Sequence, residues 1–511
     1  MSEISKPVLN KGVSIKSIYA VLFDRKILLG ITGAGMLVFI ASMWHRFIYI
    51  DDAFFGEQAY WLAKEGIVRT ATLIDFLGCD HRLFSYHKLN IYAGAALIRL
   101  FGWSVNPLRF ATLIFLIGFL LVYLRFFREN KNKLDSYHLA IALFIILFNP
   151  LTVLYAFTYR PEIWVMFFGF SSYYFIDKSA RNNYPLKYII AAGLLSGLAF
   201  LTHLNGLIFP VAGFVVLALA KKWKGVLTFS MASGIVCLLY FFDLWQDHHL
   251  ATWLYQLRNW PDHNATNYLS DNFMDLVFNV IRKLSQEHQR FFWSDRVWVI
   301  SAFFVLAFLS NVKYLLREHF VLVIYSLMLI FALNIAGGQI AERFLIYFFP
   351  FIALIIAIDV SAIKAKKAFF RKSLYIVFLL LQIVFVTRMF VGIFQKNDDH
   401  TEISKNILSR IPDKNALTLV PYTLVFNGLG DYNLASFKAF EYYEVRVKHT
   451  LSQLEVFERA TVLNIKYIIV PVKGTRNMET GLPCLETGSI LTNTYYREFS
   501  RDIRCIYLVR I

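Results

Sequence analysis

Charge is scarce in this sequence. Asp, Glu, Lys and Arg supply 17% of its 511 residues, against about a quarter in soluble domains. Hydrophobic residues make up 57% and mean hydropathy is +0.51. A chain solvated mainly by water is therefore excluded, and lipid is the expected solvent. Cysteine is scarcer still. The four present, Cys79, Cys237, Cys484 and Cys505, show no metal-type spacing. Cys237 lies in an apolar run and reads as inert. Cys484 and Cys505 fall in the polar C-terminal region and could pair in an oxidising compartment. No short fixed-period repeat is present, which argues against a solenoid. No small-residue cleavage site follows the polar first 26 residues, so a signal anchor with a cytoplasmic N-terminus is expected.

What is abundant is apolar runs near the length of a bilayer crossing. They lie at about 27–49, 107–124, 137–157, 162–177, 188–205, 207–220, 225–242, 297–312, 320–336, 344–361 and 373–391. The net charge of +17 is no nucleic-acid signal, because the basic residues cluster between these runs. Arg125, Arg128, Lys131 and Lys133 form one cluster, and Lys178, Arg181 and Lys187 the next. Lys221, Lys222 and Lys224 follow, then Lys313 and Arg317, then Lys364 to Lys372. Every second connection is basic, which is the positive-inside pattern. The expected fold is an all-α polytopic membrane protein of about eleven spans with a small C-terminal α/β domain. Residues 1–26 form a cytoplasmic segment, 27–391 the membrane domain and 392–511 a domain outside the cytoplasm. Residues 50–106 and 243–296 are the two large outward loops within the membrane domain. In the tail, Tyr467–Val472 and Ile506–Ile511 read as strands.

The first outward loop carries two amphipathic stretches, 54–65 and 89–101. Each is too short to cross and is expected to lie flat at the interface. Asp51 and Asp52 open this loop. An acidic pair at a membrane edge is often a plain charged stop. Here no charge is needed to set topology, and the amphipathic helix that follows would hold the carboxylates at fixed depth. Such a carboxylate can act as general base toward a hydroxyl. A pair can instead hold a divalent metal through oxygen ligands. Asp243, Asp247, His248 and His249 form a polar cluster that reads as a solvated loop rather than a metal site.

The stretch Ile50-Asp51-Asp52-Ala53-Phe54-Phe55-Gly56 resembles the Asp-Glu-x-x-Phe-Gly segment of protein O-mannosyltransferases. Aminoarabinose transferases also have an Asp-Glu pair after the first span. His87-Lys88-Leu89-Asn90-Ile91-Tyr92, followed by Leu100-Phe101-Gly102, is similar to the basic-Pro-Pro-Leu-x-Tyr segment that ends in Leu-Phe-Gly. Asn106 to Phe110 resembles the start of the family's second span, and Arg160-Pro161-Glu162 falls where the family has a second acid. Gly197 to His203 resembles a Gly-x-x-x-Leu-Thr-Lys run, and Arg343 to Pro350 an Arg-x-x-x-Tyr-x-x-Pro run. Both prolines after His87 are absent, and His203 replaces a lysine. The motifs follow the family's order across about 27–360.

The resemblance implies a C-type (GT-C) glycosyltransferase fold, and the lean loops suggest a bacterial inner membrane. It implies a polyprenyl-phosphate-linked sugar as donor and a lipid, glycan or protein hydroxyl as acceptor, with an active site on the periplasmic face. Asp51 would be the catalytic base, and Asp52 would orient the acceptor or hold a metal. His87, Lys88 and Arg343 would neutralise the departing phosphate, Arg160 and Glu162 would line the same cavity, and Tyr92 and His203 would complete the substrate-binding set. The other readings are a lipid or sugar transporter or flippase, and a non-catalytic scaffold on the same fold. A transporter places ionisable residues near mid-bilayer. The spans here hold few acids at that depth, and the notable charges sit at one edge.

Overall fold

The computed structural model describes residues 15–246, 249–261, 273–337, 340–364, 368–395, 400–471, 495–501 and 505–510. Cys484, Asp247 and His248 lie outside the described residues. Among the described residues, six helices are long and apolar enough to cross a membrane: Arg25–His45, Val105–Glu129, Trp223–Trp245, Trp298–Glu318, Glu342–Ile363 and Phe369–Phe394. Shorter apolar helices occupy Ser136–Leu147, Leu186–Thr202, Leu204–Leu219 and Phe320–Ile335. Each expected span falls on one of these or on Glu162–Arg181. The chain is a multi-pass membrane protein. The run expected over 137–157 is broken in two. Asn149 caps the N–H of Leu151 at 2.9 Å and Pro150 starts a new helix, Pro150–Tyr155. Proline has no N–H to continue the preceding helix, and it suits a first turn.

The Glu342–Ile363 segment is almost wholly buried, at the centre of the bundle. Outer helices keep apolar side chains such as Leu37, Ile114, Leu121 and Leu238 exposed, as lipid-facing helices do. The C-terminal region folds around a five-stranded mixed sheet in the order β2-β1-β3-β5-β4. Its strands are β1 Thr418–Val420, β2 Leu434–Ser436, β3 Tyr467–Pro471, β4 Tyr496–Arg501 and β5 Cys505–Arg510. The two expected strands are β3 and β5. The two three-residue strands are too short to show an alternating pattern.

The amphipathic stretches of the first loop form the helices Ile50–Glu65 and Lys88–Phe101. The first of them does not lie flat with one face in lipid. It packs on both the Lys88–Phe101 helix and the C-terminal region, and Ala53, Phe55, Gly56, Glu57, Gln58, Ala59 and Leu62 are all buried. One hydrophobic core joins the first loop to the C-terminal sheet, so the tail shares its interior with residues 48–108. Trp103 stacks on Phe426 with centroids 4.1 Å apart and donates from Nε1 to the Phe426 carbonyl at 3.0 Å. The Ser436 N–H donates to the Thr72 carbonyl at 2.9 Å. Burial from two sides outweighs the interfacial placement that helical amphipathicity alone predicts.

Gly94 sets how closely the two loop helices approach the bundle. A Cβ there would meet the Tyr159 hydroxyl and come within 3.0 Å of the Ala59 Cβ. Tyr159 is fully buried and donates to the Asn90 carbonyl at 2.5 Å, so it has no room to retreat. Gly94→Ala is expected to destabilise the protein by about 1–3 kcal/mol through overpacking. Thermal unfolding in detergent checks this, and an unchanged midpoint would show that the helices can part at no cost.

Candidate active site

Asp51 and Asp52 both lie in the first turn of Ile50–Glu65, where carboxylates favour the helix dipole. Successive helical residues point about 100° apart, and that rotation sends the pair in different directions. Asp52 faces inward and is fully buried. Its Oδ2 accepts from Arg109 at 2.5 Å and from the Tyr49 N–H at 3.0 Å, and its Oδ1 from the Tyr159 N–H at 2.7 Å. Asp51 is partly exposed, at 23%, and pairs with Arg160. Asp51, Phe54, Phe55 and Gln58 follow the i, i+3, i+4, i+7 rule and form one stripe of the helix. All four line a cavity of about 360 Å³.

Four other expected residues line the same cavity: His87, Arg160, His203 and Arg343. They come from the turn before Lys88–Phe101, the approach to Glu162–Arg181, the end of Leu186–Thr202 and the start of Glu342–Phe348. Glu162 is fully buried and lies behind the lining. It accepts a forked pair of hydrogen bonds from Arg160, at 3.0 Å from Nε and 2.6 Å from Nη2. Arg343 Nε stands 3.7 Å from Glu162 Oε1. One carboxylate thus gathers two guanidinium groups, and forked pairing fixes the plane of Arg160.

The His87 and His203 rings stack at 4.2 Å with 24° between planes. His203 Nδ1 accepts from the Asn205 N–H at 2.9 Å, which places the proton of a neutral ring on Nε2. Burial, reinforced by Arg160 and Arg343 and opposed by Glu162, pushes the His87 imidazole down to about 3. His87 is neutral at physiological pH in this site.

Lys88 and Tyr92 are not brought to the cavity. The Lys88 ammonium is buried against Asp243, at 2.5 and 2.8 Å from its two oxygens, and Tyr86 donates to the same carboxylate at 2.9 Å. Burial lowers Lys88 to about 8 against the pull of Asp243. Its role is to tie the first loop to the Phe242–Gln246 helix. Tyr92 is half exposed on the outer side of Lys88–Phe101. Asp52, too, is a structural anchor, because both its oxygens are engaged. Of the acidic pair left open for a metal, Asp52 has both oxygens hydrogen-bonded and Asp51 pairs with the Arg160 guanidinium.

The sequence reading missed the rest of the lining. Gln58, Tyr86, Trp260, Tyr422, Lys438 and Tyr442 all face the cavity. Gln58 was within reach, since it stands two helical turns after Asp51. Lys438 and Tyr442 come from the C-terminal region, and no local pattern marks them. A second cavity, about 690 Å³, lies beside the end of the first span, lined by His45, Arg46, Trp103, Arg109, Lys405 and Asn427 among others.

Removing Arg109 would leave the buried Asp52 carboxylate without its charge partner. Arg109→Ala is expected to cost about 3–5 kcal/mol of stability; a loss below about 1 kcal/mol in thermal unfolding would show that the pair is not the anchor. His87 gives a pH signature. Its free imidazole titrates near 6.5, but in the folded chain only near 3. The unfolded state therefore binds the proton first, and stability falls as pH drops from about 6.5 toward 3. The wild type should lose more unfolding temperature between about pH 7 and pH 4.5 than His87→Gln does. Parallel losses would place the imidazole in solvent.

No protein-family model and no curated protein matches the sequence. Solved structures do match its fold. ArnT from Cupriavidus metallidurans bound to undecaprenyl phosphate aligns over 97% of this chain and 98% of its own, at 11% identity and a TM-score of 0.58. The same protein in the apo state gives a TM-score of 0.55 at 11% identity, over 98% and 99%. The Archaeoglobus fulgidus oligosaccharyltransferase tethered to an acceptor peptide aligns over 88% of this chain and 70% of its own, at 15% identity and a TM-score of 0.52. From the first span to the C-terminal sheet, the chain has the GT-C fold that these structures share.

Proposed function

We propose that this protein is a membrane glycosyltransferase that moves a sugar from a polyprenyl-phosphate donor to a hydroxyl acceptor. The observation that carries the reading is the cavity that brings Asp51 together with Arg160, Arg343, His87 and His203. Fold alone does not fix a reaction, but this set matches what the chemistry requires. Asp51 is the one carboxylate that lines the cavity among the described residues. As general base it takes the proton of the acceptor hydroxyl. The acceptor oxygen bonds to the anomeric carbon while the carbon–oxygen bond to phosphate breaks. Negative charge then grows on the departing polyprenyl phosphate, where Arg160 and Arg343 are held ready by Glu162. His203, with its proton on Nε2, and neutral His87 add hydrogen-bonding capacity beside them.

The ArnT structure that this chain resembles holds undecaprenyl phosphate, which supports a polyprenyl phosphate here. The basic connections between the spans support placing the active site on the periplasmic side of a bacterial inner membrane. The acceptor is a lipid, glycan or protein hydroxyl.

The test is a transfer assay on purified protein in nanodiscs, with a panel of radiolabelled polyprenyl-phosphate sugars and membrane extract as acceptor source. Wild type is expected to release polyprenyl phosphate from at least one donor. Asp51→Asn is expected to lower that rate by about 10²-fold or more while unfolding at the wild-type temperature. A fully active Asp51→Asn would remove the assigned base, and no turnover across the panel would overturn the reading.

A further inference from the structure

Gln58 presents an anomaly that the proposed reaction does not absorb. Its side chain is 1% exposed, yet neither Oε1 nor Nε2 has a hydrogen-bond partner among the described residues. A buried amide left unmade costs stability, and native proteins avoid it unless something else satisfies the group. Gln58 lines the active-site cavity on the same helical stripe as Asp51, two turns further along. Its neighbour Glu57 shows the contrast. Glu57 is equally buried but saturated by the Thr72 hydroxyl at 2.6 Å, the Thr72 N–H at 3.0 Å and the Tyr422 hydroxyl at 3.1 Å.

Around Gln58 the cavity changes character. The end near Asp51 is basic, with Arg160 and Arg343. The far end is aromatic. Phe54 lies 6.3 Å from Trp260 and 6.2 Å from Tyr422, and Trp260 lies 5.7 Å from Tyr442. Lys438 stands on this wall, paired with Glu441 at 2.5 Å. Aromatic faces and one amide that needs both a donor and an acceptor, in the same lining, match a sugar ring: apolar faces, with hydroxyls at the edge that donate and accept. An ammonium on the sugar would enter a lining that already carries three cations, Arg160, Arg343 and Lys438, against the one carboxylate of Asp51.

We propose that Gln58 is the specificity-determining residue for the transferred sugar, and that this sugar is a hydroxyl- or acetamido-bearing ring with no positive charge. The phosphate end of the donor lies between Arg160 and Arg343, the anomeric carbon beside Asp51, and the ring edge that carries the C2 substituent against the Gln58 amide, whose side chain leans back toward the start of its helix. The inference rests on the glycosyl-transfer reading and adds the substrate class and the residue that reads it.

The experiment compares wild type, Gln58→Met and Gln58→Glu in nanodiscs, with undecaprenyl-phosphate-linked glucose, N-acetylglucosamine and glucosamine added to the donor panel. Methionine keeps the volume and removes the unmet polar atoms, so Gln58→Met should unfold at or above the wild-type temperature. Its kcat/KM for the preferred donor should nonetheless fall about tenfold, as two lost neutral hydrogen bonds imply. Gln58→Glu should shift preference toward the glucosamine donor. A purely structural Gln58 would instead show activity and unfolding temperature falling together. Wild-type turnover that Gln58→Met leaves intact, or a wild-type preference for glucosamine, would overturn the inference and leave glycosyl transfer standing. Absence of wild-type turnover on every donor would overturn both, and wild type alone reports that result.

Discussion

The buried hub at Asp52 is the interaction on which the rest of the site depends. Its two oxygens collect Arg109 from the second long span, the Tyr159 N–H from the segment just before Arg160, and the N–H of Tyr49, which caps its own helix. Two separate pieces of chain are fixed to this helix by one carboxylate, in a place where an unpaired charge is very costly. Because Asp51 is the preceding residue of the same helix, and Arg160 follows Tyr159, the hub also fixes the pair that faces the cavity. The adjacent acids divide their work by geometry. One is spent on position, and the other is left partly exposed beside a guanidinium.

A second constraint comes from the C-terminal region, which is no appendage. It closes the cavity with Tyr422, Lys438 and Tyr442 and shares a core with the first loop. The Tyr422 hydroxyl donates to Glu57, one residue from Gln58, and Trp103 stacks on Phe426. Burial pushes the Glu57 carboxyl above its ordinary range against the hydrogen bonds from Thr72, Trp61 and Tyr422. This polar junction sits inside an apolar interface, so registry between loop and domain is set by directional bonds as well as by packing.

Much of this was legible in the sequence because lipid imposes a strict rule. A span must satisfy its backbone internally and show an apolar surface, so hydropathy located the long and shorter apolar helices among the described residues. The break at Asn149-Pro150 was readable too, but a long apolar run hides a short one. The residues Asp51, His87, Arg160, His203 and Arg343, which line one cavity, were singled out through their order along the chain. Lys88 was misplaced because a basic residue beside a motif looks the same whether it faces a ligand or a buried aspartate. Asp52 was misjudged for the same reason: composition cannot tell a saturated carboxylate from a working one. The flat placement of residues 54–65 failed because amphipathicity reports that a face is buried and not what buries it.

The arrangement of charge around Glu162 explains why the cationic residues are held as they are. Two guanidinium groups side by side in a site of low polarity repel strongly, and each would otherwise draw counterions or water into the cavity. A single buried glutamate between them lowers that cost. The two guanidinium groups and Glu162 together carry one net positive charge, which Asp51 balances. In the proposed reaction Asp51 takes up a proton and loses its charge, so one positive charge is left facing the departing phosphate as bond cleavage places more negative charge on it. Preorganised dipoles and charges of this kind require little rearrangement during the reaction. The same logic accounts for neutral imidazoles at this spot. A third and fourth cation would raise repulsion among the donors before any anion is present, whereas two stacked neutral rings add hydrogen-bonding capacity without adding charge.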